Sequence, residues 1–204
     1  PLVGADVAGD ESFLMANMLK NVPIVVCADR YAAGMKAVSE FDADVIVMDD
    51  GFQHRKLYRD VDFVLLDASR DSHSLRMFPR GTLREGFDAL KRASLIGLTR
   101  SDQSPYTEAW RGVVERYAPG CALVDIRFEV AGVVADCGRG EMQPAEWLAH
   151  RPVYAFCGLG NPDSFFDSLL SRQADIRGCK AFIDHHQYTG EDLNCMAKEA
   201  RENG

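Results

Sequence analysis

The chain has 204 residues, 47% of them hydrophobic and 26% charged, with a formal net charge of -8. That length accommodates one sizeable α/β domain or two small lobes, and the acidic balance excludes the clustered basic footprint of a nucleic-acid binder. No stretch approaches the roughly 18 apolar residues of a membrane span. No signal peptide is visible.

Short apolar runs alternate with helical patterns along the chain. "AGDES" (Ala8 to Ser12) precedes the helical run "FLMANMLK"; Asp10 or Ser12 can cap that helix, and acidic residues suit a helix N-terminus. "VPIVVCADR" (Val22 to Arg30) reads as a β-branched strand ending at Asp29, and "YAAGMKAVSEF" follows with helical spacing. "DVIVMDD" (Asp44 to Asp50) is the next predicted strand, completing a βαβ unit. "VDFVLLDAS" (Val61 to Ser69) and "ASLIGLTRSD" (Ala93 to Asp102) are the third and fourth. Ser104 as N-cap and Pro105 at the first position open a helix to Tyr117. "CALVDIRFEVAGVV" reads as strand, possibly antiparallel.

The polar "CGRGEMQP" stretch marks a lobe boundary, giving lobes 1–140 and 141–204. "RPVYAFCGLGNPDSFFDSLL" and "GCKAFIDHHQYTGEDLNCMAKEA" then each read as strand, turn and helix. Six cysteines form no C-x-x-C pair; Cys27 and Cys157 read as small buried hydrophobes in a reducing compartment. The fold class is α/β with mostly parallel strands.

In open parallel sheets ligands sit beyond the carboxyl ends of the strands, and those ends here are polar. Asp49 and Asp50 are adjacent like charges; a bound Mg²⁺ offsets their repulsion, since that ion takes a few carboxylates together with water and phosphate oxygens. The plainer reading is an Asp-Asp-Gly turn. Gln53 and His54 follow on the same edge. In "IDHHQYTGED", Asp184 can orient His185 and raise its use as a base, while Thr189 and Asp192 have capping-box spacing. "FPRGTLREGFDALKRAS" gathers Arg80, Arg84, Lys91 and Arg92, suited to an anionic substrate or to a solvated helix start.

Taken together, "GDES-LMA", "DDGFQHRKLYRDVDFVLLDA", "FPRGTLREG", "GLGNPDSFF" and "DHHQYTGEDL" resemble, in order, the tetraacyldisaccharide 4'-kinase family, the lipid A 4'-kinases, from Gly9 to Leu193. The resemblance implies a P-loop-kinase-like α/β/α sandwich with a smaller C-terminal α/β lobe. It implies transfer of the γ-phosphate of ATP, with Mg²⁺, to the 4'-hydroxyl of a lipid A disaccharide precursor. The implied location is the cytoplasmic face of the bacterial inner membrane, with membrane contact through an N-terminal anchoring region. By position, Asp10 matches a catalytic carboxylate paired with His185, supported by Asp184. Asp49 and Asp50 match the Walker-B-like pair, with Glu11 assisting the metal. Gln53, His54 and Arg84 match positions near the disaccharide or phosphates.

Three departures stand out: "DSHSLRMF" before the "PRGTLREG" block, and Ser12 and Gly86 where the family usually has Pro. No G-x-x-x-x-G-K-[ST] loop occurs in these residues. Both ends read as cut, so the expectation is a fragment with little or no kinase activity by itself. Two other readings use the same residues: a metal-dependent phosphoesterase of DHH type, and a non-catalytic remnant that binds lipid or a partner.

Overall fold

A computed structural model describes residues 3–134 and 140–203. The chain divides into two compact units, Pro1–Arg127 and Phe128–Gly204. That division precedes the expected boundary at 140, which adjoins residues outside the described set, Cys137 among them.

The first unit is built on a parallel sheet of β1 (Phe63–Asp67), β2 (Leu95–Thr99) and β3 (Ala122–Ile126), in that order. Register aligns Asp67 with Thr99 and Thr99 with Ile126, so all three strands end together at one carboxyl edge. Helix α4 (Thr107–Tyr117) buries Trp110 and Val114, four residues apart and so on one face. Together with Leu90, Ile96, Leu98 and Ala118 they form two adjoining core clusters on one side of the sheet. The Trp110 indole donates to Arg70 O at 2.8 Å, satisfying its only polar group. Ile96, Leu98 and Trp110 are fully buried, and each such side chain contributes about 1.5–3 kcal/mol. Phe63, Leu65 and Val124 remain exposed.

The helix expected from Ser104 begins at Thr107. Ser104 Oγ instead accepts from Tyr106 N–H at 3.0 Å and donates to Ala68 O, tying the turn to the end of β1.

Helices α1 (Ala5–Ala8), α2 (Asp10–Met18) and α3 (Arg30–Phe41) precede that sheet. The two strands expected on either side of α3 belong to no ladder among the described residues. Residues 22–28 and 44–48 run without regular structure, and Val45 and Val47 are 80% and 91% exposed. The apolar runs are there; a neighbouring strand to take their N–H and C=O groups is not, among the described residues. Cys27 is accordingly only half-buried, whereas Cys157 is buried. Asp29 ends no strand: its Oδ1 caps α3, accepting from Tyr31 and Ala32 N–H at 2.9 and 3.1 Å.

In the second unit β4 (Val133–Val134) pairs antiparallel with β5 (Met142–Gln143), and β6 (Pro152–Cys157) pairs parallel with β7 (Asp175–Ala181). The run expected as one strand from Cys121 therefore splits into β3 and β4. Helix α5 (Pro162–Ser171) starts with Pro162 at its first position and Asn161 as cap, Oδ1 accepting from Ser164 N–H at 3.3 Å. Helix α6 (Gly190–Asn203) follows β7 and buries Met196. The fold class is thus the expected one, α/β with mostly parallel strands.

Candidate active site

The acidic turn of the first unit is held by arginines. Asp50 sits in the left-handed region at φ 49°, which residues with a β-carbon seldom adopt. Its Oδ2 receives Arg84 Nη1 at 2.5 Å. The cation beside this aspartate pair is therefore a guanidinium from 34 residues away, and both side chains of the bridge are more than half exposed. Arg92 lies over the Phe52 ring at 4.3 Å, donates to Phe52 O at 3.4 Å and pairs with Glu85 at 2.6 Å.

Arg59 binds the other flank of the turn. It donates to His54 O at 2.7 Å and Leu57 O at 3.1 Å, and forks onto both oxygens of Asp62 at 2.6 and 3.2 Å. The Arg59–Asp62 pair is mostly buried. Gln53 Oε1 is buried with no hydrogen-bond partner among the described residues, a vacant acceptor in this loop. The His54 side chain is exposed.

Asp10 and Glu11 occupy the first turn of α2, where carboxylates suit the helix dipole. Gly9 is the N-cap, and Asp10 Oδ1 accepts from the adjacent Glu11 N–H at 3.0 Å. The capping expected of Asp10 or Ser12 is replaced by this local bond. At the carboxyl end of β1, Asp67 accepts from the Ser69 hydroxyl and amide at 2.7 and 3.1 Å and pairs with Arg100 at 3.1 Å. Burial pushes the Asp67 carboxyl up, but the Ser69 bonds and the Arg100 guanidinium outweigh it and leave the group below its ordinary value. A depression of about 600 Å³ opens just beyond, lined by Ser69, Arg70, Leu75, Arg76, Thr82 and Tyr106 among others.

In the second unit the Gly-Leu-Gly turn after β6 and the Asp-His-His turn after β7 lie against each other. Phe182 N–H donates to Cys157 O at 2.8 Å and His185 N–H to Gly158 O at 3.3 Å. A β-carbon at Gly158 would stand 3.1 Å from Ile183 O, and one at Gly160 would stand 3.1 Å from Asp184 Oδ2. A β-carbon would be tight at both places, and at Gly158, where the neighbour is a main-chain carbonyl, the close approach favours glycine. His185 is exposed, in the left-handed region at φ 55°. Its Nε2 stands 3.9 Å from Asp184 Oδ2, an ion-pair distance and beyond a hydrogen bond.

The closer carboxylate–imidazole contact belongs to the next histidine. His186 Nε2 is 3.2 Å from Asp192 Oδ2. That carboxylate also accepts from the Thr189 amide at 2.9 Å and hydroxyl at 2.7 Å, while Asp192 N–H donates back to Thr189 Oγ1 at 3.2 Å. This is the capping box predicted by the spacing. The Thr189 amide, the Thr189 hydroxyl and then His186 hold the Asp192 carboxyl down at about 2.

Of the sequence-predicted residues, the structure brings Asp50 to Arg84 and leaves Asp49 beside them in the turn. It places Glu11 next to Asp10, and Asp184 next to His185. Glu11, Asp49 and Asp50 do not converge: among the described residues no three His, Cys, Asp or Glu side chains are grouped to hold a metal. Arg59, Asp62 and His186 organise the two turns without having been singled out by sequence, whereas Arg92 was picked out only as part of a basic stretch and Asp192 only as a helix cap. For Arg59 and Asp62 the available signal was their three-residue spacing, and for Asp192 the cap itself.

A protein-family model described as tetraacyldisaccharide-1-P 4'-kinase matches residues 3–204. Among similar proteins, the tetraacyldisaccharide 4'-kinase of Desulfotalea psychrophila is 35% identical, over 100% of this chain and 58% of its own length. That of Anaeromyxobacter sp. (strain Fw109-5) is 38% identical, over 100% of this chain and 55% of its own. The crystal structure of LpxK from Aquifex aeolicus in complex with ATP matches at TM-score 0.72 and 32% identity, over 92% of this chain and 56% of that one. The chain spans about half the length of the curated relatives it matches.

Proposed function

The chain belongs to the tetraacyldisaccharide-1-P 4'-kinase family, and from that premise we propose that the protein transfers the γ-phosphate of ATP to the 4'-hydroxyl of a tetraacylated disaccharide 1-phosphate in lipid A biosynthesis. The observation that carries this is the match across residues 3–204, with every sequence block of the resemblance inside it. The match to an ATP complex supports ATP as the donor. The acceptor is a membrane lipid, so the reaction belongs at the cytoplasmic face of the bacterial inner membrane. Net charge of -8 offers nothing to a nucleic acid.

In such a transfer the acceptor oxygen bonds to the γ-phosphorus as the bridge to ADP breaks, and the hydroxyl proton leaves to a base. The chain's own groups divide that work. Asp10 and His185 together take the proton, with Asp184 beside the His185 ring. Asp10 is the catalytic carboxylate of the first unit. Gln53, His54 and Arg84 contact the sugar or phosphates: the vacant Gln53 acceptor suits a hydroxyl, and the Arg84 guanidinium suits a phosphate.

Asp49 and Asp50 would hold Mg²⁺; Glu11, which is not grouped with them among the described residues, has no direct place in that shell. The hard oxygen donors of the two aspartates fit that ion, which takes one or two carboxylates and completes its shell with phosphate and water. When bound, it supplies charge neutralisation at the transferring phosphoryl group. Since Arg84 occupies Asp50 in this structure, one guanidinium serves either the carboxylate or a phosphate. A two-metal phosphoesterase draws on more ligands than that, and the described residues group no three of them.

The test is a transfer assay on the full-length protein with γ-labelled ATP and the tetraacyldisaccharide 1-phosphate. Label recovered at the 4'-position is the expected result. Release of phosphate from a phosphodiester without ATP, and no labelled lipid, would move the protein to the hydrolase class.

A further inference from the structure

The turn that carries His185 is held from behind by the neighbouring histidine. The His186 ring stacks on Phe182, with centroids 4.4 Å apart and planes 19° from parallel, and Tyr188 meets it edge-on at 5.2 Å. Its side chain is 24% exposed, against 56% for His185. One ring nitrogen reaches Asp192, the third residue of α6, and that same carboxylate oxygen takes both Thr189 donors. His186 N–H donates to Ile183 O at 3.1 Å, which closes the turn over residues 184 and 185.

Two features separate this from an ordinary helix cap. A capping box is complete with Thr189 and Asp192; the additional bond runs backwards to the residue directly after His185. And His185 is the one residue of the turn in the left-handed region, a conformation that persists where the surroundings over-determine it.

We propose that His186 and Asp192 are positioning residues for the transfer reaction, forming a clasp that fixes the backbone at His185 and presents its ring at the strand end. The proposal rests on the reading of His185 as a member of the proton-accepting pair. The clasp residues meet no substrate; they act through their neighbour.

A double-mutant cycle in the full-length protein tests it, with ATP and the acylated disaccharide phosphate as substrates. Asp192→Asn and His186→Ala should each lower kcat about tenfold and leave KM for ATP within about twofold, as misplacing a group without removing it does. In a His185→Ala background neither should lower kcat further, because residues that act through one group are not additive. His186→Gln retains an N–H donor and should recover kcat to within about threefold of the parent.

Thr189→Ala weakens the cap but leaves the His186–Asp192 contact, and should cost less than Asp192→Asn. An equal loss in the His185→Ala background, or a Thr189→Ala loss as large as that of Asp192→Asn, would overturn the clasp while leaving His185 in the proton-accepting pair. An unchanged kcat in His185→Ala alone would instead remove the reading of His185, and the clasp with it.

Discussion

The two turns singled out by sequence are built by opposite means. The acidic turn at Asp49–Asp50 follows a segment that joins no ladder among the described residues, and side chains from elsewhere in the unit hold it: Arg84 on Asp50, Arg92 on Phe52, Arg59 on His54. The histidine turn at Asp184–His186 follows a strand paired in a parallel ladder that one bulge interrupts. Backbone bonds to the end of β6, an aromatic stack and a helix cap of its own hold it. Charge secures the first turn and main chain the second. Stress on ion pairs should therefore separate them.

The largest effect tests whether the turns serve one reaction despite that difference. Replacing His185 with Ala should lower kcat by about 10²–10⁴-fold, the range of a lost general base. Asp49→Ala should lower kcat as well, with a changed dependence on Mg²⁺ concentration. Loss of transfer in one variant and full transfer in the other would show that only one of the turns belongs to the active site. Next in size is Arg59→Ala. It strips a mostly buried guanidinium from Asp62 and from two carbonyls. We expect a loss of about 2–3 kcal/mol in unfolding free energy. Arg59→Lys should recover less than half of it, because an ammonium cannot fork onto a carboxylate. A near-neutral Arg59→Ala in chemical denaturation would mean that charge does not hold the acidic turn.

This asymmetry also explains what the sequence disclosed. Strands β1, β2, β6 and β7 and helices α4 to α6 were legible because each writes its apolar pattern and punctuation into contiguous residues. Asn161–Pro162 and Thr189–Asp192 announce helix starts within four positions. The runs at 22–30 and 44–50 carry the same β-branched signal, yet that signal records a preference for burial. A ladder partner is a non-local fact, and no local pattern encodes it. Asp29 shows the ambiguity at one residue: the end of an apolar run is equally the cap of the helix that follows. Arg84 and Arg92 reach across 34 and 40 residues to the acidic turn. Their basic stretch was visible as composition, and their partners were not. The family resemblance named both turns; how each is held came only with coordinates.

A smaller effect is expected at Arg84. Its bridge to Asp50 is short, but both partners are more than half exposed. Arg84→Ala should change stability by less than about 1 kcal/mol. The difference from the parent should vanish near 1 M salt, where the screening length is about 3 Å. Thermal unfolding at low and high salt distinguishes this bridge from the Arg59 fork, whose contribution should persist. A salt-insensitive loss at Arg84 would place that pair in a drier setting than its exposure describes.

The smallest effect lies in the histidine turn and is seen in acid. Asp192 is held at about 2 in the folded chain, against an ordinary value of 3.8. The folded state therefore binds fewer protons at this site than the unfolded chain does. Its contribution to stability is complete above the ordinary value and is lost as pH falls toward about 2. Protonation leaves one oxygen a poorer acceptor for the Thr189 donors and removes the charge facing His186. The Thr189 amide resonance should then titrate with a midpoint near 2, and the first turn of α6 should exchange its amides faster below that point. In Asp192→Asn the same resonance should not titrate in this range. A Thr189 midpoint near 3.8 would mean that the cap gives the carboxylate no preference for its charged form. The histidine turn would then depend on its aromatic stack and backbone bonds alone, and the contrast with the acidic turn would be sharper still.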